Sequence, residues 1–104
     1  MRLEHRIVAV ETLVKCGGGM VVVDRSEIMG LLKLPLAGLM SYGNIKDVAS
    51  DTVHLKKACA KLGSRVSDPF MALSFLALPV IPEFKLTDKG LFEVSMQRFT
   101  SLLI

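Results

Sequence analysis

Three consecutive glycines, Gly17–Gly19, separate two segments whose apolar residues follow different periods. Before the glycines, apolar residues recur at intervals of three and four, which is the spacing of one helix face: Leu3, Ile7, Val10 and Val14. After them, residues 20–23 are continuously apolar and mostly β-branched, as in a buried strand. The sequence therefore predicts a helix over residues 3–16, a glycine cap at its end and a strand that follows immediately.

The next segments predict a hairpin and a second helix. Residues 27–32 can return alongside the first strand around a turn at residues 24–26, with Gly30 marking a bulge. A helix over residues 45–62 begins after a capping Asn44 and ends at Gly63. Its apolar residues again alternate in steps of three and four, so they predict a face directed at the core: Ile45, Val48, Thr52, Leu55, Cys59 and Leu62.

The last third of the chain begins with Asp68-Pro69, an N-cap followed by a proline at the first helical position. Residues 70–78 are apolar nearly all round, which predicts a short helix buried on several sides. Two short strands, 84–86 and 91–94, are predicted to pair, whereas residues 95–104 are compatible with either a helix or a strand.

The expected fold class is α+β, with helices packed on a mainly antiparallel sheet. At 104 residues the chain has the length of a single small domain, residues 1–104.

Composition excludes several function classes. The net charge of +3 is spread along the chain and aromatic residues make up only 6%, so no nucleic-acid partner is expected. The longest apolar run, residues 69–82, is shorter than the roughly 20 residues of a membrane span, so no membrane partner is expected. With no signal-peptide pattern and few cysteines, a cytoplasmic location follows. The mean hydropathy of +0.48 is high, which indicates apolar surface that meets a partner.

Residues capable of catalysis or metal binding are few and scattered. The only histidines are His5 and His54, and a catalytic zinc site generally takes three protein ligands. Neither Cys16 nor Cys59 belongs to a Cys-x-x-Cys pair. Gly17–Gly19 follows a helix and precedes a strand, which is the reverse of a phosphate-binding loop.

Three acidic residues lie near apolar sequence. Asp68 has a role as a helix cap and Asp88 lies in a turn, which leaves Glu83 without an evident structural role. We therefore expect no catalytic and no metal-binding residue in the chain. The remaining catalytic alternative is a small enzyme that uses Glu83, Asp88 or Cys16.

Two stretches together resemble a known family. The first is residues 17–23 followed by 34–41, and the second is residues 68–83 followed by 85–91. In order and spacing they are similar to the C-terminal domain of bacterial and archaeal adenine deaminases of the amidohydrolase superfamily, over about residues 8–94. The resemblance implies the family reaction, in which adenine and water give hypoxanthine and ammonia.

The same resemblance limits what this chain can do. The family uses a divalent metal, manganese or iron, that activates water in a barrel domain, and such barrels need roughly 200 or more residues. No cofactor and no catalytic or metal-binding residue of the family is therefore expected in this chain. We expect it to be the structural or oligomerisation portion of an adenine deaminase, with a purine-metabolism role only alongside the barrel.

A structural portion that is separated from its barrel would leave apolar residues uncovered. These residues are the candidate partner surface. The expected partner is an amidohydrolase barrel, as a domain or a separate chain, or a second copy of this chain. The candidate docking residues are Leu36, Leu39, Phe70, Phe75 and Leu78. Two alternatives stay open: these side chains fill the chain's own core, or the chain is a stand-alone protein-interaction module with no deaminase role.

Overall fold

The first helix, α1 (Leu3–Cys16), ends at the glycine triplet as the sequence predicts. Gly17 adopts φ +76°, and its N–H donates to the carbonyl of Val14 at 3.2 Å. The N–H of Gly18 donates to the carbonyl of Leu13 at 2.9 Å, which completes a Schellman cap. The computed structural model describes residues 3–103, which divide between Ser67 and Asp68 into two compact units.

Strands β1 (Gly19–Asp24) and β2 (Glu27–Lys33) form the antiparallel hairpin of the first unit. Arg25 and Ser26 connect them, and both have positive φ, as a two-residue type I′ turn requires. Val22 pairs with Gly30 and Val23 pairs with Ile28, so one extra residue lies in β2 beside Gly30. This confirms the predicted bulge.

The second helix, α2 (Ile45–Lys61), is capped at both ends by local side chains and backbone. The N–H of Asp47 donates to Oδ1 of Asn44 at 3.0 Å, and Nδ2 of Asn44 donates to the Asp47 carboxylate at 2.7 Å. At the other end, the N–H groups of Gly63 and Ser64 donate to the carbonyls of Ala60 and Cys59. These bonds complete a second Schellman cap, so the predicted helix limits are confirmed to within one residue.

Removing the Asn44 cap tests how much this local signal contributes to stability. Asn44→Ala is expected to lower the free energy of unfolding by about 1 kcal/mol, because an N–H of the first turn loses its acceptor. The measurement is a urea unfolding curve of the 104-residue chain followed by circular dichroism. Asn44→Ser keeps an acceptor at the cap and should unfold close to the wild type. Equal midpoints for the alanine and serine variants would show that the cap adds nothing.

The core of the first unit lies between the hairpin and the helices. Helix α1 contacts mainly β1, and α2 contacts mainly β2. At the α2 contact, Gly30 approaches Leu55 so closely that a Cβ at Gly30 would lie 3.1 Å from the Leu55 Cδ2 atom. The glycine thus makes room for a fully buried leucine. The buried apolar side chains are Val22, Leu32, Leu34, Leu55 and Ala58.

The second unit contains helix α3 (Pro69–Leu76) and a three-stranded antiparallel sheet in the order β3-β4-β5. The strands are β3 (Phe84–Thr87), β4 (Gly90–Glu93) and β5 (Arg98–Thr100). Phe92 and Phe99 pair across β4 and β5, edge to face, with their ring centroids 5.3 Å apart. Residues 98–100 are therefore strand, which resolves the choice that the sequence left open for this part of the tail.

The α+β class is confirmed, since helices accompany two small antiparallel sheets. The strands form two separate sheets, whereas a single sheet was expected from the sequence. The single-domain assignment stays a prediction. The expectation that the apolar helix is buried on several sides is wrong for α3, because none of its residues is buried.

Candidate interaction surfaces

The two histidines lie on different helices of the first unit. His5 is on α1, and His54 is on α2 with its Nε2 atom 3.2 Å from the carbonyl oxygen of Met29. In the tautomer protonated at Nε2, His54 donates this bond and ties α2 to β2. Across residues 3–103, no three His, Cys, Asp or Glu side chains are grouped so that they could hold a metal ion.

The two cysteines are free thiols that are half-buried. Cys16 is the last residue of α1, and Cys59 lies near the end of α2. Burial raises the pKa of the Cys59 thiol, which disfavours the reactive thiolate. Cys59 therefore has the properties of a small packing residue.

The acidic residues singled out from the sequence belong to the second unit, whereas Cys16 belongs to the first. Oδ1 of Asp68 accepts the N–H of Met71 at 3.1 Å, which confirms its role as the cap of α3. Asp88 lies in the turn between β3 and β4. The side chain of Glu83 is exposed, and its backbone carbonyl accepts the N–H of Val94 at 2.9 Å, so its backbone extends the β3–β4 pairing.

Two of the predicted docking residues lie in the loop that follows β2. Leu36 is half-buried, and its backbone exchanges hydrogen bonds with Met40 at 3.2 Å in both directions. Ala37 and Gly38 have positive φ in this tight loop. Leu39 projects outward and is 77% exposed, so it is accessible for docking in the described chain.

The other three predicted docking residues lie on or just after α3. Phe70 is half-buried, whereas Phe75 and Leu78 are exposed. Other exposed apolar side chains of the same helix surround them: Met71, Leu73 and Leu76. The exposure is compatible with docking, and the assignment of Leu36, Leu39, Phe70, Phe75 and Leu78 to a partner surface stays a prediction.

Helix α1 carries a further exposed surface, which is the apolar stripe that the sequence predicts for this helix. Each member of this stripe is between 47% and 74% exposed, and we call Leu3, Ile7, Val10 and Val14 the outer stripe. A second set of side chains is half-buried, and we call Val8, Ala9, Thr12, Leu13 and Cys16 the inner face. At about 100° per residue, the centres of the two sets are about 160° apart around the helix.

The inner face was within reach of sequence reasoning, because the same helical arithmetic separates it from the outer stripe. The spacing in the sequence marks the more regular set of larger side chains as one helix face, without deciding which face of α1 packs on the sheet. Periodicity shows that a helix has an apolar face, and a helix with two such faces can place either of them against a sheet.

A shallow groove continues the outer stripe toward β1. Its volume is about 290 Å³, and it is open to solvent. Val10 belongs to both the stripe and the groove, so the two form one continuous surface. The groove is lined by His5, Arg6, Ala9, Val10, Val21 and Val23.

These observations define a class of protein: a small α+β domain whose helices present uncovered apolar surface, as in a structural or interaction domain of a larger assembly. The sequence profile of the adenine deaminase C-terminal domain family matches residues 3–98. The chain belongs to this family.

Individual relatives agree with the family match. The chain is 44% identical to the adenine deaminase of Bdellovibrio bacteriovorus over 98 residues, which cover 94% of the chain and 17% of the relative. It is 48% identical to the adenine deaminase of Methanothrix thermoacetophila and 50% identical to adenine deaminase 2 of Carboxydothermus hydrogenoformans, over 88% of the chain and 16% of the relative in both comparisons. The chain thus spans about one sixth of the length of its relatives.

Residues 3–103 contain no helix that is both long enough and apolar enough to cross a membrane.

Proposed function

We propose that this chain serves as the C-terminal structural portion of an adenine deaminase and supplies packing surface rather than catalytic groups. The observation that carries the proposal is the unequal coverage in the match to the Bdellovibrio adenine deaminase, which includes 94% of the chain but 17% of that relative. The exposed apolar side chains of α1 and α3 support it, because a domain that packs on a larger body needs such surface.

The reaction proposed for the complete enzyme converts adenine and water to hypoxanthine and ammonia, and the divalent metal proposed for it, manganese or iron, would supply Lewis-acid activation of water. The described residues do not fit such a metal, because they present no group of three potential ligands. We therefore assign the metal and the chemistry to an amidohydrolase barrel outside this sequence. In this proposal the complete enzyme is cytoplasmic. The partner of this chain is the barrel or, in an oligomer, a second copy of the chain.

A chimera tests the proposal. The 98 matched residues of the Bdellovibrio adenine deaminase are replaced by the corresponding residues of this chain, and adenine deamination is followed spectrophotometrically with manganese or iron supplied. We expect kcat/KM within about tenfold of the intact relative, because the replacement leaves the catalytic groups untouched. The relative without the segment is the first control and should lose activity or solubility.

The isolated 104-residue chain is the second control, and no adenine turnover above the buffer blank is expected from it. Metal-dependent turnover by the isolated chain would contradict a structural role. An inactive but folded chimera would instead favour the alternative of a stand-alone interaction module.

A further inference from the structure

The outer stripe of α1 is exposed in the first unit, whereas the opposite face of the same helix packs on the hairpin. A surface helix normally has one apolar face, and a helix that is apolar on two opposite faces is buried on both. The charged side chains of α1 occupy its flanks, with Glu4, Glu11 and Lys15 on one side and Arg6 on the other, whereas the polar His5 and Thr12 lie on the half-buried side. The pattern is that of a helix lying between two layers.

We propose that the outer stripe and the groove beside Val10 form the surface on which the remainder of an adenine deaminase packs. This inference rests on the function proposed above and names the contact surface. The matched segment makes up 17% of the Bdellovibrio relative, so about five sixths of that enzyme lies outside the segment and is available to form the missing layer.

A second copy of this chain is a weaker occupant. Full burial of one aliphatic side chain removes roughly 60–120 Å² of apolar surface from water. The four side chains of the outer stripe would then bury at most about 480 Å² on each copy. A stable interface between two proteins buries about 800 Å² on each partner. A larger body that fills the groove as well as covering the stripe meets this requirement better.

Thiol labelling in the chimera described above tests the surface directly. Val10→Cys places a thiol on the outer stripe at a site that is 59% exposed, and Val53→Cys is the matched control on α2 at a site that is 52% exposed. Maleimide labelling is followed by peptide mass spectrometry, which separates the new thiols from Cys16 and Cys59. In the isolated chain both new thiols should label at rates within about twofold of each other, because both are exposed.

In the chimera, labelling at position 10 is expected to slow by about tenfold or more, while labelling at position 53 stays unchanged. A second pair repeats the comparison if a variant fails to fold. Val14→Cys lies on the outer stripe at a site that is 74% exposed. Its control, Ile45→Cys, lies in the first turn of α2 at a site that is 83% exposed. Equal labelling of outer-stripe positions in the chimera and the isolated chain overturns the proposed surface.

Slow labelling at position 10 in the isolated chain also overturns the proposal. If dilution restores the rate, a second copy covers the stripe, and if dilution has no effect, the chain covers it with its own residues. Activity of the wild-type chimera separates this inference from the proposed function. An active chimera with position 10 accessible removes only the surface assignment, whereas an inactive chimera with position 10 protected supports the surface and removes the proposed function.

Discussion

Replacing Leu55 by alanine is expected to lower the free energy of unfolding by about 2–5 kcal/mol, which is the usual range for a buried leucine. Leu55 is the largest fully buried side chain among the described residues, and it packs against the backbone of Gly30. Helix α2 contacts strand β2 at this point, so the alanine variant would leave a cavity in the contact between these two elements. A domain of this size has a total stability of only about 5–10 kcal/mol, so the variant should be largely unfolded at moderate urea.

Urea unfolding of the 104-residue chain, followed by circular dichroism, measures the effect. Leu39→Ala is the matched control, because it removes the same atoms from a side chain that is exposed in the same unit. Its cost should stay within about 0.5 kcal/mol. Similar midpoints for the two variants would mean that the α2–β2 contact is not the stabilising core of this unit.

Gly18→Ala is expected to lower the free energy of unfolding by about 3 kcal/mol or more. Gly18 adopts φ +121°, where an alanine is strained, and its added Cβ would lie 2.6 Å from the Cα atom of Gly38. The backbone strain is worth about 1–2 kcal/mol and the overpacking another 1–3 kcal/mol. The clash involves backbone on both sides, so no side chain can rotate to relieve it.

Gly63→Ala separates the two contributions to this loss. Gly63 also has positive φ, at +96°, but a Cβ there would meet nothing within 4 Å. It should therefore show only the conformational cost of about 1–2 kcal/mol. The readout is the difference between the two urea midpoints. If Gly18→Ala is no more destabilising than Gly63→Ala, the close approach of the glycine segment to the loop at Gly38 does not contribute to stability.

Much of the local structure was predictable because its signals act within one helical turn. Asn44 and Asp68 cap their helices through N–H groups three residues away, and Gly17 and Gly63 end helices through bonds that span at most five residues. The type and ends of α1 and α2 therefore followed from neighbouring residues, whereas strand β5 did not. The family resemblance could also be recognised from the order and spacing of two such segments, and the profile match confirms it.

The candidate surface was only partly predictable. Leu39, Phe75 and Leu78 were selected from the sequence and are exposed, whereas the outer stripe was not selected as a docking surface. Hydrophobicity does not distinguish a side chain that packs within the domain from one reserved for a partner. Both kinds of side chain gain stability in the same way, because their burial removes apolar surface from water.

The amino-acid order alone determined the two longer helices with their glycine caps, the first hairpin and the bulge beside Gly30. Tertiary structure decided which of two opposite apolar faces of α1 packs on β1, and that the strands divide into two separate sheets. It also showed that Gly30 makes room for Leu55, a residue far along the chain. Capping and turn formation are short-range interactions, whereas the choice of a packing face depends on the shape of a surface built from residues distant in sequence.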